Sequence, residues 1–367
     1  MFILSNIRVA VVGVGSCASS LVQLVTMAKE EVVGDTLKGV MYEQIGSYNA
    51  NNIDFVCAFD VDQRKVGFDL ADAIFAEPNV AKKHTEVPKQ NVLVEAGPLL
   101  DGVEEKLAEI IELSSQINEV DTKYVSERLK EVQADVLICY LPTGSYEAVR
   151  AYATASVEAK VAFINATPEP VATDSYFQAK FHEYGVPLLG DDLRSHLGAT
   201  TLHTALIELF QSRGITVDDT YQLNFGGNSD FLNLSSPNRS ASKQKSKRNA
   251  LHAAGIDASN VSAGPNGYVQ YLGDSKVCYL RLEGSSVLGS PISLELRLQV
   301  EDSPNSAGVV INAIRIAKVA KDHGLSGVID DVCPMLFKSP RYGATESEAL
   351  KLLSSFVERY SKVKIPR

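Results

Sequence analysis

The chain has 367 residues, 45% of them hydrophobic and 22% charged. This is the balance of one large or two ordinary globular domains, and it leaves out disorder and collagen-like repeats. Forty-five acidic against 35 basic residues give a net charge of −10, which argues against general nucleic-acid binding, because duplex binders carry a basic face.

The opening MFILSNIRVAVV has no basic region ahead of a long apolar core. It reads as the entry to a strand rather than a secretion signal, which predicts a cytoplasmic protein. Apolar runs over Ile7–Val14, Ile53–Asp60, Asp135–Leu141, Val161–Asn165 and Val186–Gly190 predict strands. All are strand-sized, so no membrane span is expected. Helical patterns over Ser16–Glu31, Ser145–Lys160 and Ser175–Tyr184 fall between them. Such alternation predicts right-handed βαβ units and a parallel sheet, and the unbroken apolar runs predict strands buried on both faces.

Asp35–Asn52 reads as a loop inserted between the first helix and the second strand. Residues 76–134 read as an excursion with helices near 103–114 and 123–133, and a long helical pattern follows Arg194 and ends near Gly214. Strand character returns at Tyr221–Phe225, Val277–Glu283 and Ile292–Val300, where ISLELRLQV alternates apolar and polar residues as a sheet solvated on one face would. Helices are expected over Ser306–Lys321 and Thr345–Tyr360. The predicted class is α/β. A parallel-sheet domain is assigned to 1–199 and 306–367, and an inserted mixed α+β domain to 200–305.

Val12-Gly13-Val14-Gly15-Ser16-Cys17-Ala18 lies between a strand and a helix and has the GxGxxA pattern of a Rossmann-type dinucleotide site. Gly13 would allow the tight turn, Gly15 the approach of a pyrophosphate, and Ala18 close packing of helix on strand. The helix start at Ser16 and Cys17 would offer N–H groups to phosphate. The plain alternative is a tight connection that binds nothing. Asp60 fills the place of the ribose-binding acid, 47 residues after Gly13 instead of about 20. It would favour NAD over NADP, or else simply cap the next helix.

In Gly190-Asp191-Asp192-Leu193-Arg194-Ser195 two carboxylates end a strand, where ligands bind in open α/β sheets, though Asp is also a common helix cap. SPNRSASKQKSKRN holds Arg239, Lys243, Lys245, Lys247 and Arg248 with no acid. It suits an anionic ligand such as a sugar phosphate, or else a solvated loop. Lys276 and Lys338 flank apolar segments and are candidate desolvated amines. Cys17, Cys57, Cys139, Cys278 and Cys333 have no CxxC spacing, the six histidines no ligand spacing, and GxSxG, HExxH and Walker A patterns are absent.

Taken together, VVGVGSCASSLVQ, FVCAFDVDQRKVGFDL, YLPTGS, VPLLGDDLRSHLGAT, LNFGGNSDFLNL, SKQKSK, YLGDSKVCYLRLEG, EDSPNSAGVVINAIR and MLFKSP resemble, in order and across nearly the whole chain, the short bacterial and archaeal form of the myo-inositol-1-phosphate synthase family.

The resemblance implies an NAD-binding Rossmann domain joined to a catalytic and tetramerisation domain in a cytoplasmic homotetramer. It implies isomerisation of D-glucose 6-phosphate to 1D-myo-inositol 3-phosphate, the first step of inositol and hence phospholipid biosynthesis. The stages are oxidation at C5, enolisation at C6, aldol closure on C1 and re-reduction. It implies Lys243, Lys247, Lys276, Lys338 and Asp302 as catalytic residues. Gly13, Gly15, Ser16, Cys17, Ala18, Asp60, Tyr140, Asp192 and Ser195 would bind the cofactor, and Asn228, Asp230, Ser242 and Lys247 the substrate. Lys243 would move the C5 hydroxyl proton, Lys276 and Lys338 would stabilise oxyanions, and Lys247 would bind phosphate. Relatives use a cation whose identity and ligands the sequence leaves unknown. Arg194, where many relatives have lysine, and His196, where glutamine or glycine is more usual, keep open a paralogue that cyclises another sugar phosphate. A sugar-phosphate dehydrogenase that releases NADH is a further alternative.

Overall fold

The structure is a computed structural model of the chain, and residues 6–30, 37–236, 238–239 and 261–361 are described. Seven parallel strands form the larger sheet in the order β13-β8-β7-β6-β1-β4-β5. They are β1 (Ile7–Val12), β4 (Ile53–Asp60), β5 (Val94–Ala96), β6 (Val136–Cys139), β7 (Ala162–Asn165), β8 (Pro187–Leu189) and β13 (Gly327–Val328). Apart from Arg8 every residue of β1 is buried, and β6, β7 and β8 are buried throughout. This matches the unbroken apolar runs. β1 pairs with β4 on one side and β6 on the other. The strand order therefore reverses at β1, which creates a crevice at the carboxyl ends of β1 and β6.

Crossover helices α1 (Ser16–Glu30), α4 (Thr122–Glu131), α5 (Tyr146–Glu158) and α6 (Ser175–Glu183) join these strands. Helix α9 (Asp302–Asp322) packs along α1, β7 and β8. It is buried on every side from Ser306 to Ala320, as a helix in the middle of a core is. Its Arg315 is fully buried and donates to the Glu43 and Ile311 carbonyls and to Asn312 Oδ1. The helix starts at Asp302, four residues before the expected Ser306, so the DSPNS segment forms its first turn instead of a loop.

The second sheet has the order β10-β9-β11-β12, built from β9 (Thr216–Gly226), β10 (Val261–Tyr268), β11 (Ser275–Ser285) and β12 (Pro291–Glu301). β10 runs parallel to β9, and the other pairs are antiparallel. Helix α7 (Ala199–Ser212) covers one face, with Ala199, Ile207 and Phe210 against Cys278, Leu280 and Leu282. β12 leaves its outer edge unpaired among the described residues, and its residues alternate between exposed and half-buried along the strand.

Several elements depart from expectation. The helix placed near 103–114 shrinks to α3 (Glu105–Ala108), because a run with Gly102 before it and Leu-Ser-Ser after it cannot sustain helical periodicity. Asp35–Asn52 contains a small hairpin, β2 (Gln44–Ile45) and β3 (Tyr48–Asn49). Strand β10 is unexpected, since VSAGPNGY carries turn residues. Its register slips between Pro265 and Gly267, and an edge strand tolerates that irregularity. Short helices α2 (Leu70–Ala73), α8 (Ser229–Leu234) and α10 (Cys333–Leu336) precede the C-terminal α11 (Glu346–Ser361). No helix among the described residues is long and apolar enough to cross a membrane.

A candidate active-site cleft at the sheet switch point

A cleft of about 270 Å³ opens beyond the carboxyl ends of β1 and β6, between the two sheets. Gly13, Gly15, Ser16, Cys17, Asp60, Tyr140, Asp192, Ser195, Asn228, Asp230, Lys276, Asp302 and Lys338 all line it. Residues named from eight separate segments thus meet in one space.

The glycine loop divides its labour as its backbone demands. Gly13 has φ +83°, and a Cβ there would lie 2.9 Å from the Tyr140 carbonyl oxygen. A Cβ on Gly15 would meet nothing within 4 Å, so that position faces open cleft. Helix α1 has no acidic residue in its first turn, which leaves its positive end free for phosphate. Ser16 accepts from the Val80 N–H at 3.1 Å. Ala18 is fully buried and packs in the core without reaching the cleft. Burial, then the charge of Asp302, pushes the Cys17 thiol up to about 12, so it stays a neutral thiol. The Tyr140 hydroxyl is buried without a hydrogen-bond partner among the described residues. This open, donor-rich cradle fits the pyrophosphate of a dinucleotide.

Asp60 does two jobs. Its Oδ1 accepts from the Val61 and Asp62 N–H groups at 2.7 and 3.0 Å, and its Oδ2 accepts from the Val14 N–H at 2.7 Å. It therefore braces the glycine loop while facing the cleft.

The adjacent aspartates separate in role. Asp191 is fully buried and accepts from Asn165 Nδ2, from the Thr173 hydroxyl and from the N–H groups of Val171, Ala172 and Thr173. Burial raises its pKa against those hydrogen bonds. Asp192 lines the cleft at φ +58°, a left-handed backbone that aspartate tolerates better than most residues. Its Oδ1 receives the Lys338 ammonium at 2.9 Å. A short backbone ladder fixes this pair: Lys338 N–H to Asp192 O at 2.7 Å, Ser339 N–H to Asp191 O at 3.0 Å and Arg194 N–H to Leu336 O at 2.9 Å.

Arg194 is buried at the cleft edge and spans Thr201 Oγ1 and Glu346 Oε2 of α11. His196 does not line the cleft. It packs against Gly308 of α9, and burial lowers its pKa against contacts with the Gly39 and Gly308 backbone. Nearby, Gly198 precedes α7 as a cap without a side-chain hydrogen bond, and the helix has no acidic residue in its first turn. Its first turn, Ala199–Thr201, whose N–H groups have no intrahelical partner, borders the cleft.

The second sheet contributes the other ion pair. Lys276 Nζ lies 3.1 Å from Asp302 Oδ1 and 5.7 Å from the Phe231 ring centroid. Asn228 caps α8 through its Oδ1 and donates its Nδ2 to Asp302 Oδ2 at 3.3 Å. Asp230 accepts from the Thr143 hydroxyl at 3.2 Å. Behind them Asp274 accepts from the Ser303 hydroxyl at 2.6 Å, and its carbonyl takes the Asp302 N–H. Burial, opposed by the Ser303 hydroxyl and reinforced by Asp302, raises Asp274 to about 6.

Ser242, Lys243 and Lys247 lie outside the described residues. Among those described, no group of three or more His, Cys, Asp or Glu side chains could hold a metal ion. Sequence reasoning missed Lys65, Asn79, Thr143 and Asp274. Asn79 and Thr143 sit in loops with no periodic signal, and nothing in the YLGDSK segment marks Asp274 as buried.

A family model described as myo-inositol-1-phosphate synthase matches residues 198–303. The inositol-3-phosphate synthase of Mycolicibacterium smegmatis is 45% identical over 360 residues, covering 96% of this chain and 98% of that protein. That of Corynebacterium glutamicum is 43% identical over 361 residues, with the same coverage of both. The crystal structure of Ari2 is 38% identical, with a TM-score of 0.78, over 97% of this chain and 99% of that one. At such identity over nearly its whole length, the chain belongs to the myo-inositol-1-phosphate synthase family.

Proposed function

We propose that the protein is a cytoplasmic, NAD-dependent isomerase that converts D-glucose 6-phosphate to 1D-myo-inositol 3-phosphate, the entry step of inositol biosynthesis. The observation that carries this reading is the convergence of two carboxylate-tethered ammonium groups, Lys276–Asp302 and Lys338–Asp192, on the cleft that holds the glycine loop. Residues 1–199 with 306–367 would form the dinucleotide domain, and residues 200–305 the catalytic and tetramerisation domain.

NAD, when bound, supplies a hydride acceptor that oxidises C5 and, once reduced, returns the hydride. Gly13, Gly15 and the start of α1 would hold its pyrophosphate, and Asp60 its ribose. The start of α7, which has no side-chain cap, favours the sugar phosphate at that end beside Ser195, because N–H groups without an intrahelical partner attract a dianion. Lys243 would take the C5 hydroxyl proton, and Lys247 would add to phosphate binding. Lys276 and Lys338 would donate to the C5 oxygen as the C6 proton leaves and to the C1 oxygen as the ring closes. Asp302 and Asp192 fix those ammonium groups in advance, so little reorganisation is needed when charge develops. Asn228 and Asp230 would orient the open chain. Atoms balance as an isomerisation, with no net redox change.

For assembly, the β12 edge, unpaired among the described residues, and the highly exposed Val287 and Leu288 at the β11–β12 turn support a homotetramer built on this sheet. The function is tested by product analysis after incubation with glucose 6-phosphate and NAD. Inositol phosphate without net NADH supports it, and stoichiometric NADH rejects it in favour of a simple dehydrogenase.

A further inference from the structure

At the adenosine end of the cleft lies a cation that the reaction does not use. Lys65 is only 5% exposed and lines the cleft. Its ammonium donates to Asn79 Oδ1 at 3.0 Å and lies 3.7 Å from Asp60 Oδ2. Asp62 is paired with Arg64, whose guanidinium also reaches the Ile110 carbonyl. Asn79 in turn donates to the Val14 carbonyl at 3.0 Å, so the Val14 backbone is held by Asp60 at its N–H and by Asn79 at its carbonyl.

We infer that Lys65 sets the choice between a 2′-hydroxyl and a 2′-phosphate on the adenosine ribose. The inference rests on the reading that the cleft binds a nicotinamide dinucleotide. A lone carboxylate at the end of the second strand repels a 2′-phosphate. Here a nearly buried ammonium faces that carboxylate at ion-pair distance, where charge is poorly screened. It offsets the repulsion and offers the phosphate a counter-charge. The cleft therefore discriminates against NADP less than Asp60 alone would.

The test uses the full chain and reads dissociation constants for NAD and NADP by calorimetry, in the wild type, Lys65→Gln and Lys65→Arg. Glutamine keeps a donor for Asn79 and removes the charge, while arginine keeps the charge. Lys65→Gln should raise the NADP-to-NAD ratio of dissociation constants about tenfold, with NAD affinity changed less than about threefold, and Lys65→Arg should stay near the wild-type ratio. An unchanged ratio in a Lys65→Gln protein that binds NAD overturns the inference alone. Failure of the wild type to bind either dinucleotide overturns the underlying reading, and the inference with it.

Discussion

Lys338 is fastened to Asp192 twice, by its ammonium on Oδ1 at 2.9 Å and by its backbone N–H on the carbonyl at 2.7 Å. Two segments 146 residues apart are thereby locked at one point. The ammonium is anchored to a backbone that cannot drift, which is what electrostatic preorganisation requires. Lys276 reaches the same condition differently, through Asp302 in the first turn of α9, itself held by the Asp274 carbonyl and by Asn228.

Lys276→Ala and Lys338→Ala should each lower kcat by about 10²–10³, the usual cost of removing one preorganised donor. Calorimetry should find NAD affinity within about twofold of the wild type in both. Near-normal turnover would remove them as oxyanion donors.

The two glycines should part company. Gly13→Ala places a Cβ against the Tyr140 carbonyl at a left-handed φ, so it should lower stability by roughly 1–3 kcal/mol in thermal unfolding and weaken NAD binding as well. Gly15→Ala meets no protein atom. Its melting temperature should be unchanged while NAD affinity falls.

Asp274 predicts a pH signature. Its folded pKa, raised to about 6 from 3.8, means that the folded state holds this proton more tightly than the unfolded chain. The stability it contributes is fully present below about pH 4 and is lost as pH rises through 6. Asp274→Asn cannot titrate, so its stability relative to the wild type should climb by roughly 2–3 kcal/mol between pH 4 and 7. Urea unfolding across that range measures it, and a constant difference would contradict it.

Val287→Asp with Leu288→Asp charges the exposed β11–β12 turn. Light scattering should show the proposed tetramer giving way to smaller species, with far-UV circular dichroism unchanged. A tetramer that persists would place the assembly surface elsewhere.

The centre of the parallel sheet was legible because β1, β6, β7 and β8 are buried almost throughout and so read as continuous apolar runs, from IRVAVV to VPLL, whereas the short β5 and β13 gave no such run. The cleft was legible where chemistry and position coincide, as at Gly13, Asp192, Lys276 and Lys338. What stayed hidden depends on partners distant in the chain. Asp191 and Asp192 are indistinguishable as letters, and only the hydrogen bonds from 165–173 and the ladder from 336–339 separate a structural carboxylate from one facing the cleft. His196 looked like a site substitution, yet its ring turns to α9. Arg194 does border the cleft, and Glu346, far along the chain, neutralises it.

The central claim is that one bound nicotinamide takes a hydride from C5 and gives the same hydride back. It is tested most directly with glucose 6-phosphate deuterated at C5, turned over in the presence of excess unlabelled NADH, with the product analysed by NMR and mass spectrometry. The account predicts inositol phosphate that retains the deuterium. Loss of the label to solution NADH, or accumulation of an oxidised sugar phosphate with one NADH per turnover, would contradict it.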